Sequence, residues 1–200
     1  MCGRYYIAED DQAEELKQII DMISRKHNGN PNIKTAGEVF PSEAVPVIAT
    51  SRAQKILPFP MEWGYTTSDG NRLINARSET ASQKPTFKDG MLRRRCIIPA
   101  SWYFEWNRNE PGKPKYAIGA KQKDVIYMAG LYRFETDEQT KASKPVFTIL
   151  TRDPADSIQF IHHRMPVLLP KETVRDWLNT EYRADEVLQS AMLSVKYNLA

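Results

Sequence analysis

Between residues 45 and 150 the chain alternates short apolar segments with turn signals, and no helical periodicity separates one segment from the next. The segments predicted as strands are 3–8, 45–49, 60–64, 73–75, 96–99, 103–106, 115–120, 125–132 and 146–150. Parallel strands need long crossovers, usually helices, so this pattern disfavours a parallel sheet. It predicts an α+β fold with a twisted, barrel-like, mostly antiparallel sheet flanked by a few helices.

One amphipathic helix is predicted ahead of this region. Its apolar residues fall at helical spacing on one face, namely Leu16, Ile19, Ile20 and Ile23. Asp11 and Glu14 fit a capping box at its start, and Gly29 suits the position after its end. Two shorter helices are predicted at 171–179 and 184–193.

The chain has 200 residues and no internal repeat or linker, so residues 1–200 are expected to form a single domain. No stretch approaches the roughly 18 apolar residues that span a membrane, and the start lacks the apolar core of a signal peptide. We therefore expect a cytoplasmic monomer without membrane association. Two cysteines and three histidines, with no C-x-x-C pair, predict no metal site. Glycine-rich phosphate-binding motifs are absent, so no cofactor is expected.

Cys2 is the residue whose chemistry depends most on its position. Removal of Met1 would leave an α-amine and a thiol on adjacent carbons, both of which titrate near neutral pH. The amine can form a Schiff base with an aldehyde, and the thiol can then close a five-membered thiazolidine ring. The alternative is a thiol that packs in the core, and position alone favours that alternative.

Four sequence blocks, taken together, resemble one family. They are MCGRY at 1–5, NARSET at 75–80, RRRCIIPASWYFEW at 93–106 and IHHRMPVLL at 161–169. In this order they resemble the SRAP (SOS-response-associated peptidase) family. The resemblance implies a mixed α/β domain around a barrel-like sheet and recognition of abasic sites in single-stranded DNA. It also implies a thiazolidine DNA–protein crosslink through the N-terminal cysteine, after self-processing that removes Met1.

Asn75 and Arg77 lie in the second block. The Asn75 amide offers a donor and an acceptor, so it could hold the Cys2 amine or the hydroxyls of an opened abasic sugar. Composition alone favours a strand-end residue that bonds its own backbone, and the resemblance favours the site. Arg77 is expected on the same strand face, where it could bind a phosphate beside the lesion or form a surface ion pair. Glu79 would share that face.

Glu105 lies between two aromatic residues on a predicted strand. Desolvation there would raise the pKa of its carboxyl and make it a proton shuttle for opening the abasic sugar. The alternative is a buried carboxylate paired with Arg77 or Arg164.

His162 occupies the family's position in H-x-R-M-P and completes the predicted catalytic set of Cys2, Asn75, Glu105 and His162. Histidine can exchange a proton near neutral pH. The adjacent His163 leaves open which ring faces the site, and neighbours on a strand would point to opposite sides.

DNA contacts are predicted for the backbone and for unpaired bases. Arginines would surround the phosphates and tryptophans would stack on bases, and the residues in question are Arg4, Arg77, Arg164, Trp63 and Trp106. Phe104 and Cys96 are instead expected in the core.

Three function classes follow. The first is covalent capture of abasic sites in single-stranded DNA by a SRAP-type peptidase, with lyase activity as a further expectation. The second is a peptidase that acts on itself or on other chains, and the third is a non-catalytic single-strand DNA-binding module. The net charge of +3 is compatible with nucleic acid but does not separate these classes.

Overall fold

The computed structural model describes residues 2–8, 14–121, 124–137 and 140–200. Its strands are β1 Arg4–Ile7, β2 Gly37–Val39, β3 Ala44–Thr50, β4 Ile56–Trp63, β5 Tyr65–Thr66, β6 Arg72–Leu73, β7 Asn75–Arg77, β8 Arg95–Ala100, β9 Trp102–Trp106, β10 Lys115–Ala120, β11 Ile126–Thr136, β12 Ser143–Arg152, β13 Met165–Pro166, β14 Leu168–Leu169 and β15 Val195–Leu199. Its α-helices are α1 Glu14–Lys26, α2 Ser78–Ala81, α3 Pro85–Arg93, α4 Val174–Leu178 and α5 Ala184–Leu188.

Five strands close into a barrel. They follow the order β4, β3, β8, β11 and β12, and β12 pairs with β4 to complete the ring. The β12–β4 pair is parallel, whereas the other four pairs in the ring are antiparallel. Closure removes the unpaired edges that an open sheet would expose. The predicted α+β fold with a barrel-like, mostly antiparallel sheet is confirmed.

A second sheet places the start of the chain. Its strands run in the order β15, β10, β9, β1 and β2, all in antiparallel pairs. The β1–β9 register sets Arg4 opposite Phe104 and Tyr5 opposite Tyr103. Tyr5 and Tyr103 are fully buried in the same apolar cluster as Trp63 of the barrel. The two residues before β1 are therefore held against the end of β9.

Helix α1 confirms the predicted amphipathic helix. Leu16, Ile19 and Ile23 are buried, while Ile20 is half-buried. The helix ends as expected, because Gly29 adopts a φ of 61° and donates its N–H to the Ser24 carbonyl at 2.9 Å. The predicted capping box involves Asp11, which lies outside the described residues.

Helix α3 and strand β15 are among the elements that the sequence pattern did not predict, and the prediction of a helix over 184–193 was wrong in its extent. Helix α3 carries few apolar residues and contains Gly90, whose missing side chain lets the helix approach Leu131 closely. The predicted helix 184–193 ends at Leu188, and 195–199 forms strand β15 instead. That strand is fixed by pairing with β10, which is distant in the sequence. The hydrophobic periodicity of residues 195–199 alone does not predict such a pairing.

No helix within the described ranges is long and apolar enough to cross a membrane.

Candidate active site

Cys2 lies in the core at the start of β1. Its side chain is fully buried, and its thiol donates to the Arg4 carbonyl at 3.6 Å. Burial raises the pKa of this thiol well above its ordinary value, and the nearby Glu105 carboxylate raises it further. The thiol is therefore held in its protonated form. The alternative of a thiol packed in the core is therefore confirmed, and the role of Cys2 in capturing an aldehyde stays a prediction.

Asn75 is held against Cys2 by the barrel. Strand β7 pairs in parallel with β12, which sets Asn75 opposite Ile149. Its Nδ2 donates to the Cys2 carbonyl at 2.8 Å. Its Oδ1 is buried and accepts no hydrogen bond from the described residues. The amide thus anchors the Cys2 backbone and keeps one acceptor available.

Trp63 lies in the core and not at the surface where the sequence predicted it to stack on DNA bases. Its ring is fully buried, stacks with Phe147 and contacts Tyr5, so the prediction that it faces DNA is wrong. Its indole N–H donates to the Ile74 carbonyl at 3.0 Å. A buried indole needs such a partner, and here the bond fixes the residue that precedes Asn75.

Glu105 is a buried carboxyl group on β9, with 4% of its surface exposed. Burial raises the pKa of its carboxyl above the ordinary value, as the sequence predicted. The negative charge of Glu105 raises the pKa of the Cys2 thiol, so the two side chains interact electrostatically. The alternative pairing with Arg164 is wrong, because Arg164 binds other carboxylates.

His162 lies in the loop before β13, not on a strand. Its Nδ1 lies 3.0 Å from the Arg164 backbone nitrogen and 3.2 Å from the Arg164 carbonyl oxygen, so it accepts from the first or donates to the second according to the tautomer of the ring. Burial, with the neighbouring His163, lowers the pKa of His162 to about 4. The ring is therefore neutral near pH 7. The two imidazoles stack at 4.3 Å, so the expectation that they point to opposite sides is wrong.

Arg108 is a residue that the sequence did not single out. It is exposed in the turn after β9. Burial is the largest cause of the raised pKa of Glu105 and of the lowered pKa of His162. The positive charge of Arg108 lowers the pKa of both groups. Arg108 therefore links these two groups electrostatically. Its position inside a polar turn gave no signal that would separate it from other surface arginines.

Arg164 is a buried structural residue. Its guanidinium donates to Glu79 at 2.8 Å, to Asp153 at 2.6 Å and to the Thr151 carbonyl at 2.7 Å. Its side chain is 8% exposed, so the prediction of a DNA-backbone contact is wrong. Glu79 lies on helix α2 and not on the strand face of Asn75, because the strand ends at Arg77.

The remaining predicted DNA contacts lie at or near the surface. Arg77 is exposed, and Trp106 is half-buried with Lys115 Nζ 5.5 Å from its ring centroid. Arg4 is half-buried, and its guanidinium lies 4.0 Å from the centroid of the Phe40 ring. Their contacts with DNA stay predictions.

Two core predictions are confirmed. Phe104 is 5% exposed and Cys96 is fully buried. Both cysteines are free thiols.

Within the part of the chain that the structure describes, no group of three or more histidine, cysteine, aspartate or glutamate side chains could hold a metal ion.

Known proteins resemble this chain over nearly its whole length. The family model of SOS response associated peptidase (SRAP) matches residues 1–199. The chain is 32% identical to the abasic site processing protein YoqW of Bacillus subtilis, over 96% of this chain and 86% of that protein. It is 29% identical to the abasic site processing protein YedK of Escherichia coli, over 96% of this chain and 85% of that protein. A crystal structure of a protein from Bacteroides thetaiotaomicron matches 99% of this chain and 91% of its own with a TM-score of 0.80 at 22% identity, which supports the fold.

Proposed function

Because the chain belongs to the SOS response associated peptidase (SRAP) family, we propose that it processes abasic sites in single-stranded DNA by covalent capture on Cys2. The relatives named above are abasic site processing proteins. The observation that carries the proposal is the hydrogen bond from Asn75 Nδ2 to the Cys2 carbonyl. It holds the second residue of the chain beside a buried carboxyl group, Glu105.

Capture requires that Met1 is removed first, because a peptide bond ties up the Cys2 nitrogen. The freed α-amine then adds to the aldehyde carbon of the ring-opened sugar, and loss of water gives a Schiff base. The thiol adds to the same carbon, and its proton passes to the former imine nitrogen. One water is lost overall, and the product is a thiazolidine. The raised pKa of the thiol favours this order, with the amine attacking first.

Glu105 and His162 have distinct roles in the proposal. Glu105, with its raised pKa, is suited to hand a proton to the leaving hydroxyl and to help open the cyclic sugar. His162 stays neutral, and in the tautomer that we assign to it, with the proton on Nε2, it donates to a hydroxyl or phosphate oxygen beside the lesion. This role is a change from the predicted proton exchange, because a pKa of about 4 leaves little imidazolium at neutral pH.

The test is a denaturing gel of the protein after incubation with a uracil-containing oligonucleotide treated with uracil glycosylase. Wild-type protein should give a shifted band, and Cys2→Ala should give none. Cys96→Ala is the matched control, because it removes the other buried thiol, and it should keep the band. A band that survives Cys2→Ala, or salt-sensitive binding without any preference for abasic DNA, would favour the non-catalytic binding module.

Self-processing is a separate part of the proposal. Intact mass spectrometry should detect a chain that has lost Met1, and the loss should slow in Glu105→Ala and His162→Ala. The two variants retain Cys2 and Asn75, so their effects would report on proton transfer by Glu105 and on the hydrogen bond from His162. Cleavage of unrelated peptides is not expected. Turnover of such a peptide at a rate that matches Met1 removal would instead support a general peptidase.

A further inference from the structure

Two buried tyrosine hydroxyls lie beside the Cys2 site without a hydrogen-bond partner. They belong to Tyr5 and Tyr103, which lie opposite each other in the β1–β9 pair. Both side chains are fully buried, and neither hydroxyl makes a hydrogen bond with a residue that the structure describes. A buried polar group without a partner destabilises the folded state, so its presence in a core calls for a reason.

Tyr103 lies on the same face of β9 as Glu105, close to the Cys2 thiol. The thiol donates to the Arg4 carbonyl at 3.6 Å, and Arg4 lies opposite Phe104 in the strand pair. Because side chains alternate along a strand, Tyr103 and Glu105 both point away from the face of Phe104. Cys2 and Tyr103 belong to one apolar cluster, which does not include Phe104. The thiol therefore lies beside the two residues that flank Phe104.

The Tyr103 hydroxyl stays protonated. Burial raises the pKa of this hydroxyl well above its ordinary value, and the charges of Cys2 and Glu105 raise it further. Tyr5 differs, because after burial its pKa is raised by Cys2 and by Glu43. Tyr103 is thus the buried hydroxyl that interacts with both the thiol and the carboxyl group of the proposed mechanism. It can act there as a neutral O–H donor.

The Cys2 thiol needs a donor during ring closure. The sulfur lone pair forms the bond to the imine carbon, the C=N π electrons pass to the nitrogen, and that nitrogen takes the thiol proton. Once the proton leaves, the bond from the thiol to the Arg4 carbonyl is lost and the sulfur becomes an acceptor with negative charge. Burial disfavours that charge. A preorganised O–H donor would stabilise it without reorganisation of the site.

We propose that the Tyr103 hydroxyl donates a hydrogen bond to the Cys2 sulfur as the thiol loses its proton and closes the thiazolidine ring. The proposal rests on the proposed function, because it concerns the second step of capture on Cys2. Tyr103 keeps its own proton throughout. Its hydroxyl gains a partner only during the reaction, so the new hydrogen bond stabilises the transition state and not the free protein.

The test compares Tyr103→Phe, which removes only the hydroxyl, with wild type, and both chains are prepared without Met1. The control is Tyr65→Phe, which removes another buried hydroxyl without a described partner, on β5 in the other apolar cluster. Two probes are followed by mass on the N-terminal peptide. Iodoacetamide alkylates the Cys2 thiolate, and acetaldehyde forms the thiazolidine. Acetaldehyde with cyanoborohydride, in a Cys2→Ser background, reports the amine step alone.

Tyr103→Phe should react with iodoacetamide and form the thiazolidine about tenfold more slowly than wild type. The amine step in the Cys2→Ser background should be unchanged, and the urea midpoint should equal or exceed that of wild type. Tyr65→Phe should react like wild type with both probes. Wild-type rates in Tyr103→Phe would overturn the proposal. Equal slowing of the amine step together with a lower urea midpoint would also overturn it, in favour of a structural role.

Neither probe contains DNA, so these rates do not depend on recognition of an abasic site. Crosslinking of an abasic oligonucleotide is measured separately on the same preparations. A wild-type chain that reacts with acetaldehyde but not with the oligonucleotide would refute the proposed function and leave the comparison at Tyr103 valid. Crosslinking with equal rates in wild type and Tyr103→Phe would refute only the role of Tyr103.

Discussion

At the scale of single residues, burial decides the protonation state of each group near Cys2. The thiol is held protonated, the Glu105 carboxyl has a raised pKa, and His162 has a lowered one. All three shifts favour the neutral form, as desolvation requires. A neutral thiol and a neutral imidazole, beside a carboxyl group whose pKa is raised, suit a reaction in which protons move between an amine, a sugar and a thiol. They would suit a thiolate nucleophile poorly.

Replacement of Asn75 tests its contact with Cys2. Asn75→Ala removes the donor at 2.8 Å from the Cys2 carbonyl, and we expect crosslinking to slow by about tenfold, or about 1.4 kcal/mol. Asn75→Asp should be at least as slow, because a carboxylate cannot donate to a carbonyl. Rates are read from timed denaturing gels. The control is Asn198→Asp, which changes an exposed asparagine on β15 and should react like wild type. A wild-type rate in Asn75→Ala would contradict the role assigned to Asn75.

The pH dependence of stability tests His162. Its pKa in the folded protein is about 4, compared with 6.5 for the free side chain. The unfolded chain therefore binds more protons between these values, so the contribution of His162 to stability is present above about pH 6.5 and is lost as the pH falls towards 4. Urea titrations at a series of pH values should give a shallower decline for His162→Gln than for wild type.

His163→Gln is the control for the loss of one imidazole from the stacked pair. It should keep the decline seen in wild type. If His162→Gln and wild type lose stability in parallel over this range, the lowered pKa has no influence on folding. That outcome would remove the basis for a neutral His162 donor.

At the scale of elements, strand β8 joins the two halves of the core. All six of its residues are buried. Cys96 and Ile98 belong to one apolar cluster, and Ile97 belongs to the other, as alternation along a strand requires. A strand buried on both faces has a continuous apolar sequence, which agrees with the prediction of a strand over 96–99 with Cys96 in the core.

Gly130 lies where the barrel leaves no room for a side chain. It lies opposite Cys96 and Ile149, and a side-chain Cβ there would approach the Thr148 carbonyl at 2.8 Å and also meet Ile98. Gly130→Ala should lower the free energy of unfolding by about 1–3 kcal/mol. Gly119→Ala on β10 is the control, because its nearest contact would be 3.5 Å away. Chemical unfolding of both variants checks this, and equal stabilities would contradict the packing argument.

At the scale of the whole molecule, the shared strands should make folding cooperative. Trp63 lies in one apolar cluster and Trp177 in the other, and the barrel strands contribute to both. If residues 1–200 form one domain, as the sequence predicts, the protein should unfold in a single cooperative transition. Tryptophan fluorescence and far-ultraviolet circular dichroism should change with the same midpoint in urea. Separated midpoints would indicate that the clusters unfold independently.

Much of the fold followed from the sequence because it rests on local patterns. The amphipathic helix and most barrel strands have clear periodicity and turn signals. Helix α3 did not, because its fit depends on Gly90 against Leu131 and not on an apolar stripe. Strand β15 depends on its pairing with β10, which is distant in sequence.

The burial of the candidate residues was predictable to a lesser degree. Asn75 and Glu105 were singled out because they lie in sequence blocks that resemble a family, and their roles stay predictions. Trp63 and Arg164 were misplaced because residue type alone does not distinguish a surface contact from a buried side chain with internal partners. Arg108 was missed because its relation to Glu105 and His162 exists only once β9 and the loop before β13 are folded together.

The most direct test of the central claim is intact mass spectrometry of the adduct with an abasic oligonucleotide, without reductant. The account predicts the mass of the chain lacking Met1 plus the oligonucleotide, less one water, in an adduct that persists without borohydride. Cys2→Ser keeps the α-amine but replaces the thiol, so it should give an adduct only when borohydride traps the Schiff base. A wild-type adduct that still contains Met1, or one that forms equally in Cys2→Ser without borohydride, would contradict capture by the Cys2 amine and thiol.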